Sequence, residues 1–212
     1  MAVTANLSIS LDGYYTGPSP SALHPLGHGG EPLHDWIFRN GATQQSVSSA
    51  DILDEEFNRL GALIMGRDSY DHAQAEWGDQ PPFEVPVFVL TNRGIEDDVR
   101  TGTTFHFVTA GFGAAIERAQ EVAGDKDVIL HGGGAIRQAL RNGRLDELQL
   151  HIVPMLLRSG RSLFESLEFG TLQFTQNRAV AGNQVTHVRY DVRYGHFSGA
   201  PEVFVTEGEA HE

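Results

Sequence analysis

Cysteine is absent from the 212 residues, which excludes disulfides and thiolate metal centres and makes a cytoplasmic location the expectation. Basic residues are few: 15 Lys and Arg stand against 28 Asp and Glu, a formal net charge of -13. That balance argues against a nucleic-acid partner, whose backbone requires basic patches. No apolar run is long enough to cross a bilayer, so no membrane partner is expected. The start, Met1-Ala2-Val3-Thr4, has no positive stretch ahead of its apolar residues, so no secretion signal is expected either. Metal-ligand spacing is also missing. His24, His28 and His34 are close in sequence, but no His-x-x-x-His on a helix or paired acidic motif accompanies them, and no metal site is expected.

What is present suits one domain with a substantial core: 40% of residues are hydrophobic and 20% charged. The most informative stretch is 126–140. A β-branched apolar run, Val128-Ile129-Leu130, meets Gly132, Gly133 and Gly134 and then passes into a helical pattern through Ala135. Glycines at a strand-to-helix junction let backbone N–H groups approach a ligand closely, and the helix dipole favours an anion such as phosphate. A tight turn alone would also explain them. A second junction of the same kind follows Ala62-Leu63-Ile64-Met65. Gly66 and Arg67 open a helix toward Trp77, Arg67 offers a planar fork that matches phosphate, and Ser69 adds a hydroxyl in the first turn. A third strand, 87–90, ends in Thr91, Asn92 and Arg93. Three strands ending in such chemistry suggest one crevice at the carboxyl edge of an open sheet, with a dinucleotide as its natural occupant.

Residues 1–197 read as a single domain, followed by an acidic tail over 198–212. Alternation predicts a first strand over 3–11, ending at Asp12-Gly13. Residues 14–46 form a long insertion rich in Gly, Pro, Ser and His, with a short apolar patch at 33–38; such insertions are usually functional. A helix is expected over 49–60, strands over 62–66, 86–91 and 104–109, and a helix over 113–123. After the glycines, 145–154 alternates like a half-buried strand, and 172–174 and 184–194 read as late antiparallel strands. The pattern gives an α/β class: a mostly parallel central sheet with antiparallel C-terminal edge strands and flanking helices.

Ser10-Leu11-Asp12-Gly13, Met65-Gly66-Arg67-Asp68-Ser69-Tyr70, Thr91-Asn92-Arg93 and Gly132-Gly133-Gly134, in this order, resemble the dihydrofolate reductase-like family. The branch most similar is the reductase domain of the riboflavin-biosynthesis deaminase-reductase and its stand-alone relatives. Asp146-Glu147-Leu148 before a strand, Pro154, Leu163-Phe164 and the insertion from Pro25 to Trp36 also resemble it. The resemblance implies that Gly66, Arg67, Ser69, Thr91, Asn92, Arg93, Gly132, Gly133, Gly134 and Ala135 hold NADPH, with NADH as the alternative. It implies hydride transfer to a small planar pterin-, pyrimidine- or flavin-like heterocycle, and a homodimer paired through the late strands. It also implies a substrate-orienting acid on the helix before the 62–66 strand, for which Asp51 is the nearest positional match. Two departures stand out. Asn6 occupies the place of a lysine common in the riboflavin-pathway enzymes, removing a cation that a phosphorylated substrate would use. Asp68 beside Arg67 would repel a ribose 2′-phosphate.

Several candidates carry a plain structural reading beside the functional one. Asp12 fits ordinary Asp-Gly turn chemistry as well as a catalytic, substrate-side role. Asp51 lies where helices favour acids in any case. Trp36, in the insertion, is the substrate-binding candidate, while Trp77 could equally cover the core. His131 reads as a strand-end residue beside the cofactor. Two functions from different classes fit the sequence: an NAD(P)H-dependent reductase, and a non-catalytic dinucleotide-binding or sensor protein that retains the crevice.

Overall fold

A computed structural model describes residues 1–38, 47–165, 167 and 172–195. Eleven strands and five α-helices alternate along these residues. The first strand, β1 (Val3–Ser10), is followed by β2 (Tyr14–Thr16), a 3-10 turn at Glu31–His34 and the short α1 (Asp35–Phe38). Next come α2 (Val47–Arg59), β3 (Leu60–Gly66), α3 (Arg67–Trp77), β4 (Val87–Leu90), β5 (Asp98–Arg100) and β6 (Thr103–Val108). The chain continues through α4 (Phe112–Ala123), β7 (Asp127–His131), α5 (Gly133–Arg141), β8 (Glu147–Val153), β9 (Arg161–Ser162), β10 (Leu172–Gly182) and β11 (Val185–Tyr194).

Nine strands form one sheet in the order β10-β11-β8-β1-β7-β3-β4-β6-β5. The centre is parallel, from β8 through β6, while β10 and β11 join antiparallel at one end and β5 at the other. The expected class is therefore the observed one. The strands β2, β5 and β9 were not expected; each is only two or three residues long and lacks the alternation that betrays a strand. The penultimate strand runs 172–182 rather than 172–174, and the expected tail over 198–212 lies outside the described residues, as do positions 39–46 of the insertion.

Side-chain alternation places helices on both faces. Ala62, Ile64, Phe88, Val128 and Leu130 point to the face covered by α4 and α5, where Ala115, Ile116, Ala135 and Ile136 are fully buried. Leu63, Met65, Val87, Val89 and Ile129 point the other way, against Tyr70 of α3. Trp77 stacks on Phe105 and meets Phe83 edge-on, so it belongs to this core.

That second face is polar where β1, β8 and β11 cross it. Register sets Ser8 beside His151 and His151 beside His187; one step along, Asn6 adjoins Gln149 and Gln149 adjoins Arg189. Ser8, Gln149, His151 and His187 are all buried. The strand expected to be half-buried is thus covered on both sides. The segment 31–38 and α2 lie over its polar phase, and a charged lattice fastens α2 there. Arg59 reaches Asp127 at 2.8 Å and Glu147 at 2.7 Å, and Arg189 reaches Glu55 at 2.7 Å. Burial raises the Glu55 carboxyl, but bonds from Arg189 and Arg178 outweigh it and hold the group below its ordinary value.

Candidate active site

At the carboxyl ends of β3, β4 and β6, Arg67, Thr91, Asn92 and Arg93 converge on an open cavity of about 390 Å³ that also takes in Asp71, Phe112 and Gln138. Parallel strands all end on this edge, which is why residues far apart in sequence meet here. Arg67 Nε donates to Asp71 Oδ1 at 2.7 Å, and its guanidinium lies over Phe107 at 5.5 Å. Its Nη1, however, is buried with no hydrogen-bond partner. A buried guanidinium N–H without an acceptor is costly, and a bound anion would satisfy it. Thr91 closes the strand end by accepting the Arg93 N–H at its Oγ1, 3.1 Å away, leaving the exposed Arg93 side chain at the rim. Asp68 does not face this cavity unpartnered: it pairs with Arg161 Nη2 at 2.9 Å.

Beside these residues the glycine loop turns β7 into α5. Gly132 adopts φ +84°, a conformation that side chains disfavour, and a Cβ on it would come 2.6 Å from Ser69 Oγ. Ser69 therefore faces the loop, joining the two strand-to-helix junctions. Gly134 is exposed, and a Cβ there would meet nothing within 4 Å. Gly133 differs: its missing Cβ would lie 2.3 Å from the Tyr15 ring, so it serves packing rather than open access to a ligand. Gly66 ends β3 in extended geometry with open space at its Cβ position. Ala135 is fully buried, so it offers only backbone at the helix start.

A second cavity, of about 190 Å³, lies on the polar face. Asn6 and Ser8 of β1, His131 of β7, His151 of β8, Glu56 and Phe57 of α2, and His34 and Trp36 of the insertion all line it. Trp36 is 6% exposed; its Nε1 donates to Ser8 Oγ at 3.0 Å and its ring packs 4.6 Å from His151. Burial, then the neighbouring His131 and His151, lower His34 to about 4; burial also lowers His131. His131 lines this cavity, and the next residue opens the glycine loop, so one strand end joins the two halves of the site. His34 lines this cavity, while the rings of His24 and His28 lie 4.7 Å from each other.

Two acid assignments are corrected here. Asp51 is exposed on α2 and does not line the cavity. Its neighbour Ile52 is the fully buried residue, and helical spacing then carries Glu56, one turn later, to the same inward face. Glu56 Oε1 receives Gln149 Nε2 and lies 3.2 Å from His151 Nε2; no described residue bonds Oε2. Asp12 clamps a turn. Its carboxylate accepts the Ser10 hydroxyl at 2.5 Å and the N–H groups of Leu157 and Arg158 at 3.2 and 2.7 Å. The Ser10 bond, aided by those N–H groups, holds its carboxyl below the ordinary value, and the group has no place in either cavity.

A nine-stranded sheet with a parallel centre, antiparallel edge strands and helices on both faces is a dihydrofolate reductase-like α/β fold. Residues 1–188 match the model of the RibD C-terminal domain, and the chain belongs to that family. Among solved structures it is similar to a protein assigned to riboflavin biosynthesis from Shewanella sp. PV-4, with 25% identity over 91% of this chain and 99% of that one and a TM-score of 0.67. A pyrimidine reductase-like protein from Corynebacterium diphtheriae shares the fold at 14% identity, covering 92% of both chains with a TM-score of 0.59. Acinetobacter baumannii RibD does so at 15% identity and a TM-score of 0.56, covering 91% of this chain and 58% of that one. A search of the curated proteins finds no match. Among the described residues, no helix is long and apolar enough to cross a membrane.

Proposed function

We propose that this protein is an NADPH-dependent reductase of a small, unphosphorylated pyrimidine- or pterin-like heterocycle. The observation that carries this reading is the junction at His131, which puts a carboxylate-bearing cavity one residue from the glycine loop. Arg67 and Arg93 would read the adenosine phosphate, with Thr91 and Asn92 beside them. The exposed Gly134 at the start of α5 would face the pyrophosphate together with Ser69. When bound, the dinucleotide supplies a hydride to an electrophilic ring carbon. The chain's own residues do the rest: Trp36 offers an apolar wall, and Glu56 orients ring N–H groups through its open Oε2.

Among the described residues, no Lys or Arg lines the inner cavity. A phosphate there would lie against Glu56 and imidazoles instead of a cation, which favours a neutral or cationic ring. We infer a cytoplasmic homodimer; the exposed rings of Phe164 and Tyr194 favour pairing through the late strands. Light scattering showing only monomer would remove the dimer. The function is tested by titrating NADPH into the protein and then adding reduced pterins and aminopyrimidines while following loss of dihydronicotinamide absorbance. Oxidation that depends on both partners is expected. NADPH binding without turnover of any ring would favour the sensor reading instead.

A further inference from the structure

The floor of the inner cavity changes from polar to apolar along the order of the strands. Across β8, β1, β7 and β3 its residues run from His151 through Asn6 and Ser8 to the mixed pair His131 and Ile129, and then to Leu63. Register fixes that sequence, since Ser8 adjoins His151 and Ile129 adjoins Leu63. Over the floor, α2 presents Leu53, Glu56 and Phe57 at helical spacing, so a carboxylate and an aromatic ring enter side by side. Leu60 and Phe83 complete the apolar end.

Leu60, Leu63, Phe83 and Ile129 belong to the core on this face, each at most 9% exposed, and the cavity bares the edge of that core. Phe57 beside them is 51% exposed. These side chains carry no hydrogen-bonding atom. Ile129 lies in a strand paired on both sides, so its backbone groups are committed to the sheet. A hydroxylated substituent laid over this surface would leave its hydroxyls unpaired and away from water, which is unfavourable. A hydrocarbon substituent would instead take apolar surface of both partners out of water. Volume limits its length. A cavity of about 150 Å³ lined by Leu, Ile and Phe holds a benzene ring, and this one measures about 190 Å³. One ring and a short arm therefore fill it.

We propose that the ring taken by this cavity carries a short hydrocarbon arm, lying between Phe57 and the surface of Ile129, Leu63 and Phe83, while its polar edge faces Glu56. The proposal rests on the reading of the cavity as a heterocycle site and names the substituent which that reading leaves open. The substrate class is an alkyl-substituted aminopyrimidine rather than one bearing a polyol. Phe57 is then a specificity-determining residue that touches the arm, whereas Glu56 reads the ring.

The test is calorimetry on the full chain with 2,4-diaminopyrimidine, its 5-butyl and 6-butyl derivatives, and the same two derivatives with a trihydroxybutyl arm. Each buried methylene is worth about three- to fourfold in affinity, so at least one butyl isomer should bind about tenfold or more tightly than the unsubstituted ring. Its trihydroxybutyl counterpart should bind no more tightly than the unsubstituted ring. In Phe57→Ser, a change at an exposed side chain, the butyl gain should shrink at least about threefold. Three results overturn the arm and leave the cavity assignment standing, because the unsubstituted ring still binds. They are equal affinity for butyl and unsubstituted rings, a trihydroxybutyl ligand that binds more tightly than its butyl counterpart, and a butyl gain unchanged in Phe57→Ser. A wild-type protein that binds none of these ligands overturns the cavity assignment and the arm with it.

Discussion

The carboxylate of Asp68 is held 2.9 Å from Nη2 of Arg161, a residue brought from β9 to the start of α3. The acid that would repel a 2′-phosphate beside Arg67 is thereby partnered. Removing the partner should expose the repulsion: Arg161→Ala is expected to weaken NADPH up to about fivefold, the range of an exposed ion pair, and NADH less. Asp68→Asn in the same background should restore NADPH affinity. Fluorescence titration of both dinucleotides checks this, and equal losses for the two would show that Asp68 lies clear of the 2′ position.

Arg67 carries the unpartnered Nη1 and is the stronger handle on cofactor choice. Arg67→Ala should cost NADPH about ten- to a hundredfold in affinity, the equivalent of roughly 1.5–3 kcal/mol for a charge-assisted contact. NADH should be nearly unaffected if the contact is to the 2′-phosphate. An equal loss for both would move the contact to the shared pyrophosphate.

The three glycines of the loop are not equivalent. Gly133→Ala drives a methyl into the Tyr15 ring and should destabilise the fold by about 1–3 kcal/mol, as overpacking does, seen as a lowered Tm. Gly134→Val places its side chain in open space and should leave Tm nearly unchanged while abolishing dinucleotide binding. Retained affinity in folded Gly134→Val protein would show that the dinucleotide does not cross that side of the loop.

Glu56 and Asp51 lie on the same helix and should behave oppositely. Glu56→Gln is expected to weaken 2,4-diaminopyrimidine about ten- to a hundredfold, as loss of a charge-assisted bond predicts, with NADPH affinity intact. Asp51→Asn should change neither. Calorimetry of both ligands on both variants decides the assignment.

Stability should fall on the acid side. His34 and His187 are each lowered from 6.5 to about 4, mainly by burial. A depressed histidine favours the folded state while neutral, so its contribution is present above 6.5 and is lost as pH drops toward about 4. Each group adds a slope of at most about 1.4 kcal/mol per pH unit in that window. Urea midpoints followed across it should decline, and more gently in His34→Gln; an unchanged slope in that variant would remove His34 from the account.

The strand-end edge where Arg67, Thr91, Asn92 and Arg93 meet was legible because it is local. Gly66-Arg67, Thr91-Asn92-Arg93 and the glycine loop each follow a strand directly, and parallel strands must end on one edge. The substrate half was harder because it depends on which face of a strand meets what. Thr4, Asn6 and Ser8, like Glu147, Gln149 and His151, occupy the polar phase of alternating strands, which normally signals water. Here α2 and the insertion cover that phase. Two alternating strands both carrying residues as costly to bury as Gln and His were the available sign. Glu56 was missed for a related reason: counting back from Gly66 selected Asp51, whereas the phase of Ile52 and Glu56 on the helix points inward. Asp12 followed turn chemistry, its plainer reading, and its clamp on Leu157 and Arg158 depends on a loop more than 140 residues away.

Trp36 walls the inner cavity from a connection between strands rather than from the sheet. It bonds Ser8, meets the His151 and His187 rings, and packs in a small core with Leu33, Val153 and Val185. The strands therefore set one side of this cavity, while His34 and Trp36 set the other from a connection anchored by the buried Leu33. Under the proposed function, substitution at Trp36 changes which ring fits and leaves the strand-end edge at Arg67 and Thr91 untouched.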